Sequence, residues 1–305
     1  MNTFECARSF VYRNARPLDL ARWQNRFEDG ERSAVLNALA AYHNPDGGFG
    51  HGIEADYLNP DSTPMGVWAA TEILHEIGIQ DAYHPIVDGI LRYLESGADF
   101  DAAHGQWLNT VPSNNDHPHA IWWHFGGESQ FEYNPTAALA GFAVRFAAPE
   151  SPLYIRSCEI VHAAFAWFEA HVPFEEMHVT KCFIRLYEYL DDADSDLVDL
   201  DHFEDLLRIQ IKANICPDPD RWFTEYVSRP SAFIGSRLSP WYRLCPELVE
   251  RESELLCAQQ LPDGSWPVTW HWGTNYPAEE SISINWWRSA IILENMAFLS
   301  AFGKV

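Results

Sequence analysis

A short motif that occurs twice constrains the fold of this chain more than any other sequence feature. The two copies are Leu39-x3-His43-x3-Gly47-x-Phe49 and Leu256-x3-Gln260-x3-Gly264-x-Trp266. Each contains Pro-Asp-Gly, which ends a helix in a turn where glycine provides a positive φ and the aromatic ring folds back over the helix end. A repeated unit of this kind must stack on its neighbours to bury its apolar face. The motif therefore predicts an architecture built from repeated helical hairpins.

After each of these turns, Asn and Pro predict the start of a second helix. The signals are Asn59-Pro60, Asn134-Pro135 and Asn275-Tyr276-Pro277. A weaker third copy of the turn, Asp101-x3-Gly105-x-Trp107, keeps only the glycine and the aromatic residue. The unit is thus a helix, a glycine–aromatic turn, an irregular crossing and a second helix. About five to six such hairpins are expected to close into a double ring of helices.

Hydrophobic periodicity supports this architecture along the whole chain. Apolar residues recur at helical spacing, and alternating runs rich in Val, Ile and Thr are almost absent. We predict an all-α protein, a single α/α toroid (α/α barrel) domain that covers residues 1–305. The predicted helices cover residues 4–14, 30–42, 62–78, 82–96, 134–148, 152–171, 174–190, 199–214, 246–260 and 281–302.

Composition restricts the classes of partner. The chain contains 44 Asp and Glu but 20 Lys and Arg, which gives a net charge of −24 with His neutral. Because such a field repels polyanions, we expect neither nucleic acid nor an anionic membrane surface as a partner. The N-terminus lacks a basic stretch followed by an apolar run, and no apolar segment reaches roughly 18 residues. We therefore expect a cytoplasmic protein without membrane insertion.

The repeated motifs resemble a known superfamily. GGFG at 47–50, followed by STPMGVWAATEIL at 62–74, and QLPDGSW at 260–266 are similar to the glutamine–tryptophan repeats of terpenoid cyclase and protein prenyltransferase α/α toroids. The resemblance implies the toroid and an apolar ligand in its central cavity. Two family signatures are missing, because the chain has no Asp-x-Asp-Asp acid motif and residues 279–287 lack the cysteine of the zinc-binding Asp-x-Cys pair.

In such a toroid, the segments before the inner helices line one mouth of the central cavity. Here these segments hold His51, Glu54, Asp56 and Asp61, then Asp116, His117, His119, His124, Glu128 and Glu132, and finally His271, Glu279 and Glu280. Carboxylates gathered in a partly apolar cavity raise one another's pKa, which suits one of them to donate a proton near neutral pH. We predict that Asp56, Glu132 and Glu280 are the catalytic acid and base residues.

Aromatic and imidazole side chains complete the predicted site. Trp68, Trp123 and Trp287 are the predicted walls, and His51 and His119 are secondary polar contacts to the substrate. Adjacent tryptophans such as Trp286-Trp287 lie about 100° apart on a helix and cannot face the same direction. The histidines of the 117–124 loop could hold a metal, but their spacing specifies no coordination geometry, and we assign no metal ligand.

Each predicted acid also has a structural alternative. Asp61 or Ser62 can cap the helix that follows them, because an N-cap side chain accepts hydrogen bonds from free amide groups. Glu279 and Glu280 can interact favourably with the positive end of the helix dipole at the start of helix 281–302. Either role is compatible with the same sequence pattern.

Three functions fit this pattern. The leading prediction is an enzyme similar to prenyltransferases and terpene cyclases that acts on an isoprenoid or another apolar ligand, with Mg²⁺ required if the substrate is a diphosphate. The first alternative is a carbohydrate-active glycoside hydrolase or lyase on an α/α barrel, because aromatic walls also stack on sugar rings. The second alternative is a non-catalytic binding protein that retains the toroid. All three imply a small-molecule ligand in the central cavity.

Overall fold

The computed structural model describes residues 2–126 and 131–305, and within these ranges the protein is almost entirely helical. The helices are α1 (Thr3–Asn14), α2 (Pro17–Phe27), α3 (Arg32–Leu39), α4 (Pro64–Glu76), α5 (Pro85–Ser96), α6 (Thr136–Phe146), α7 (Pro152–His171), α8 (Met177–Asp192), α9 (Leu200–Asn214), α10 (Pro246–Ala258) and α11 (Pro277–Ala301). Strands β1 (Phe100–Asp101) and β2 (Gln106–Trp107) form one antiparallel hairpin. The predicted all-α class is confirmed.

The sequence pattern predicts all of these helices except α2. Pro17 occupies the first helical position of α2, where its missing N–H leaves no hydrogen bond unmade. Leu18 and Trp23 then form the buried side of α2. Proline has the same role in α11, which begins at Pro277 and not at the predicted residue 281.

The chain divides into two compact units. The terminal unit consists of Met1–Leu39 and Ile211–Val305, and the central unit of Ala40–Gln210. In the central unit, α6 is the core helix: it packs against α4, α5, α7 and α8, and all of its residues except Arg145 are buried. In the terminal unit, α11 packs against α1, α2 and α10. Among the described helices, none is both long and apolar enough to cross a membrane.

The two Pro-Asp-Gly turns have the same geometry, one in each unit. Gly47 and Gly264 both adopt a φ of 97°. The Asp46 carboxylate accepts a hydrogen bond from the backbone N–H two residues later at 2.9 Å, and Asp263 accepts the equivalent bond at 3.0 Å. The aromatic residue of each motif is buried. The internal repeat read from the sequence is therefore present in the structure.

Each turn glycine lies directly against the backbone of another helix. A Cβ atom on Gly47 would stand 2.1 Å from the carbonyl oxygen of Gly89 in α5, and one on Gly264 would stand 2.1 Å from that of Cys6 in α1. Helix α1 thus has the same position relative to the last turn as α5 has relative to the first. The Gln260 side chain strengthens this contact by donating to the carbonyl of Thr3 at 2.9 Å.

The third copy of the motif forms a different structure. Gly105, with a φ of 66°, lies in the turn between β1 and β2, and a Cβ atom there would meet nothing within 4 Å. Trp107 pairs with Phe100 across the hairpin. The glycine therefore serves a β-turn here, whereas the pattern predicted that it ends a helix.

We expect Gly264→Ala to lower the free energy of unfolding by about 3 to 5 kcal/mol, because both the positive φ and the collision with the Cys6 carbonyl oppose a Cβ atom. Gly105→Ala is the matched control, since its φ is also positive but its surroundings are open, and it should cost about 1 kcal/mol. Urea unfolding of both variants measures the difference. Equal losses would show that the close approach contributes nothing.

Candidate functional site

The predicted site residues are distributed over both units. The central unit holds His51, Asp56, Trp68, His119, Trp123 and Glu132, and the terminal unit holds Glu280 and Trp287. Glu128 lies outside the described residues.

In the central unit, two loops that are remote in sequence pair with each other. Residues 51–63 and 112–125 meet in an antiparallel bridge between Tyr57 and His119. The bridge brings the segment of Asp56 beside the segment of His119, and only 4% and 5% of these two residues are exposed. The structure thus brings two of the predicted polar residues together on paired, buried segments.

Asparagine side chains hold the two loops in register. The Asn59 amide donates to Ser113 Oγ at 2.8 Å and to Asn114 Oδ1 at 3.0 Å. The Asn114 amide in turn donates to the carbonyl of Trp123 at 3.0 Å. Because these hydrogen bonds are partly buried, they restrict the loops more than solvent-exposed ones would.

The imidazole of His119 has a defined orientation. Its Nδ1 lies 2.6 Å from the carbonyl oxygen of His117, which can only accept, so Nδ1 carries the proton. Its Nε2 lies 3.3 Å from Nδ1 of His124, and the two ring planes are within 17° of parallel. A buried imidazole is therefore in contact with one at the surface.

Trp123 packs against the buried end of this loop pair. Its ring lies 5.1 Å from that of Tyr57, whose hydroxyl is hydrogen-bonded to Thr63 Oγ1 at 2.7 Å, and burial raises the pKa of Tyr57 well above its usual range. The indole N–H groups of Trp123 and of Trp68 in α4 find no acceptor within the described part of the chain.

His51 belongs to the first Pro-Asp-Gly turn. It is exposed and adopts a φ of 57°, and its Nε2 lies 2.9 Å from Asn44 Oδ1. The Asn44 amide also donates to the carbonyl of Pro60 at 3.0 Å. These contacts give His51 a part in joining the turn to the segment that leads into α4.

Glu132 lies in the segment before α6 and interacts electrostatically with Glu176, a residue that the sequence analysis missed. Glu176 caps α8, because its carboxylate accepts a hydrogen bond from the Val179 N–H at 2.5 Å. Burial raises the pKa of Glu176, and the charge of Glu132 raises it further. His178 lies beside Glu176 in sequence, and burial, with a smaller effect of Lys181, lowers its pKa to about 4.

The sequence pattern did not predict site residues in the segment before α8, because this segment lacks the Asn-Pro signal that precedes α4 and α6. The signal that could have identified it is Glu175-Glu176 placed directly before a run of helical periodicity, since Glu176 accepts an N-terminal amide of the helix.

In the terminal unit, Glu280 is held by backbone and imidazole groups. Its Oε1 accepts a hydrogen bond from the Trp272 N–H at 2.9 Å, and His271 Nδ1 lies 3.4 Å from the same oxygen. The Glu280 side chain is 19% exposed and that of His271 is 84% exposed. The carboxylate is thus fixed in position and still reached by water.

Three aromatic rings of the terminal unit contact one another in series. The Trp287 ring is 5.2 Å from that of Trp270 at 83°, and the Trp270 ring is 5.5 Å from that of Tyr226 at 74°. We call Tyr226, Trp270 and Trp287 the aromatic corner. Trp287 is seven positions after Glu280, so the two lie on one face of α11, about 10 Å apart along its axis.

The neighbouring tryptophan faces a different direction, as predicted from helical geometry. Trp286 lies 5.3 Å from the Arg16 guanidinium, whereas Trp287 contacts Trp270. Only Trp287 of this pair therefore belongs to the aromatic corner.

Over residues 2–126 and 131–305, no group of three or more His, Cys, Asp and Glu side chains has a geometry that could hold a metal ion. Comparisons of the chain with protein-family models, with curated proteins and with solved structures find no match.

We expect His178 to make the protein less stable in acid. Its folded-state pKa of about 4 lies below its ordinary value of 6.5, so between these values the unfolded chain binds a proton that the folded chain does not. Stability is therefore lost as the pH falls from 6.5 towards 4, by at most about 3 kcal/mol.

The variant His178→Gln should flatten this part of the pH dependence, and urea unfolding between pH 4 and pH 7 measures it. His162→Gln changes an exposed histidine of the same unit and is the matched control. A slope that is the same in both variants would contradict the assignment to His178.

Proposed function

We propose that this protein is a carbohydrate-active enzyme that cleaves glycosidic bonds, with Glu280 as an acid and base residue and the aromatic corner as the platform for a sugar ring. The observation that carries the proposal is that a fixed carboxylate, Glu280, and Trp287 of the aromatic corner lie on one face of α11, with Glu280, Trp287 and Tyr226 all partly exposed to water. Aromatic rings present apolar faces on which sugars stack, and carboxylates transfer the protons of glycoside hydrolysis.

Water access distinguishes this function from carbocation chemistry. Cyclisation and prenyl transfer proceed through reactive cations that water would capture, so their sites must exclude it. Here 52% of Tyr226 and 84% of the His271 side chain are exposed. Hydrolysis instead consumes water and tolerates an open site.

A glycosidase requires a second carboxylate. Asp56 and Glu132 are the other acid and base residues that the sequence pattern predicts. Each is tested by its own amide variant, Asp56→Asn or Glu132→Gln, and a loss of turnover is expected where the carboxylate takes part in proton transfer.

The toroid is part of this proposal. Two observations support it, each within one unit. The core helix α6 packs on α4, α5, α7 and α8, as expected for an inner helix that contacts both inner and outer neighbours. The Gly264 turn packs on α1, so the first helix of the chain continues the repeat at its last hairpin.

We expect Glu280→Gln to reduce the release of reducing ends from oligosaccharides by about 10²- to 10⁴-fold, because the amide cannot transfer a proton. Trp287→Ala should weaken substrate binding, and Trp286→Ala, which changes the adjacent residue on another face of α11, should not. Reducing-end assays and calorimetry measure both effects. Full activity of Glu280→Gln would refute its role, and binding without turnover by the natural chain would indicate a binding protein.

The second candidate function is an enzyme similar to prenyltransferases and terpene cyclases. The shared geometry of the Gly47 and Gly264 turns favours it, because these turns carry the resemblance to that superfamily. Incubation with farnesyl and geranylgeranyl diphosphates, with and without Mg²⁺, is expected to show product formation in this case. Absence of both binding and product would eliminate this candidate.

A further inference from the structure

We propose that the ligand of the aromatic corner is a cationic carbohydrate, an oligosaccharide of amino sugars whose amines are free and protonated. This inference rests on the proposed function and specifies its substrate class. Three features of the terminal unit carry it: the pairing of its arginines, the arrangement of the aromatic rings, and the position of Glu280 relative to them.

Three arginines beside α11 are paired with carboxylates. Arg16 Nε lies 2.8 Å from Asp19, Arg229 Nε lies 3.3 Å from Glu252, and Arg288 Nη1 lies 3.3 Å from Asp263. Arg16 packs on α11 through Trp286, Arg229 donates to Asn295 of α11, and Arg288 belongs to this helix. Arg229 and Arg288 thus each have a carboxylate of their own, and Arg16 shares Asp19 with Arg22.

The first turn of α11 carries Glu279 and Glu280, of which Glu280 lies on the helix face of Trp287, and the protein as a whole carries −24. The imidazole of His271 is the group seen beside Glu280. A polyuronate would add like charges to this face and be repelled, whereas a protonated amine would be attracted. The electrostatics of the face favour a cationic ligand over a neutral or an anionic one.

The aromatic corner favours the same class of ligand. Trp270 stands nearly perpendicular to both Tyr226 and Trp287, so the corner presents ring faces in more than one direction. Ring faces carry the negative end of the aromatic quadrupole and attract ammonium groups, most strongly at tryptophan. The corner can therefore stack on a sugar ring and attract the amine that the ring carries.

Distance indicates an oligomer. Trp287 of the aromatic corner and Glu280 lie two helical turns apart, about 10 Å along α11. Residues 270–272 lie along this face of α11. The Trp270 ring contacts Trp287 at one end, and the Trp272 N–H donates to Glu280 at the other. A chain of amino sugars places amines at both ends of this face, and a single sugar does not.

Calorimetry with three matched oligosaccharides tests the inference. The probes are glucosamine oligomers, N-acetylglucosamine oligomers of the same length and galacturonate oligomers, each at 20 mM and 500 mM NaCl. We expect the free-amine oligomers to bind at least about tenfold more tightly than the acetylated ones at low salt, with a smaller preference at high salt. Galacturonate oligomers should not bind.

Variants on α11 separate the site from general attraction to an acidic protein. Glu280→Gln should reduce the preference for the free amine, and Trp287→Ala should weaken binding of both glucosamine oligomers. Glu294→Gln, which neutralises an exposed carboxylate further along the same helix, is the matched control and should change neither. Circular dichroism confirms that each variant is folded.

The outcomes distinguish this inference from the proposed function. Equal affinity for acetylated and free-amine oligomers overturns the inference and leaves a carbohydrate-active protein. The same is true of tighter binding of galacturonate. If Glu280→Gln and Glu294→Gln prefer the free-amine oligomers to the same extent, the preference arises from net charge. This result also overturns the inference. No binding of any oligosaccharide overturns both.

Discussion

The approach of a turn glycine to the backbone of a neighbouring helix is the contact on which the rest of each unit depends. No side chain fits at Gly47 or Gly264, because the neighbouring carbonyl oxygen occupies the place of a Cβ atom. This contact allows Phe49 and Trp266 to be buried and sets the point from which the chain leaves the turn. The segments that lead into α4 and α11, which carry the candidate site residues, begin from these fixed points.

Two carboxylates near the starts of helices accept hydrogen bonds from backbone N–H groups. Glu176 caps α8, and Glu280 in the first turn of α11 accepts the N–H of Trp272. A carboxylate held in this way loses little conformational freedom when it meets a ligand, which favours orientation of the reacting groups. The capping and dipole roles that the sequence pattern left open are therefore compatible with chemistry and do not compete with it.

The prediction from sequence succeeded where the physical cause is local. Helical periodicity located ten helices, and the 100° step between successive residues separated the directions of Trp286 and Trp287. It failed where the same local signal has two outcomes. Gly105 is compatible with a helix end or with a hairpin turn, and packing of the surrounding chain selects the hairpin.

The amino-acid sequence by itself determined the all-α class, the repeated turn and the residue types available for chemistry, because these depend on neighbours within a few positions in the chain. Only the tertiary structure decided that His119 pairs with the segment of Asp56, that Glu132 interacts with Glu176, and that Trp270 joins Trp287. These contacts join residues that are distant in sequence. Their geometry follows from packing and hydrogen bonding of whole segments, which no local pattern encodes.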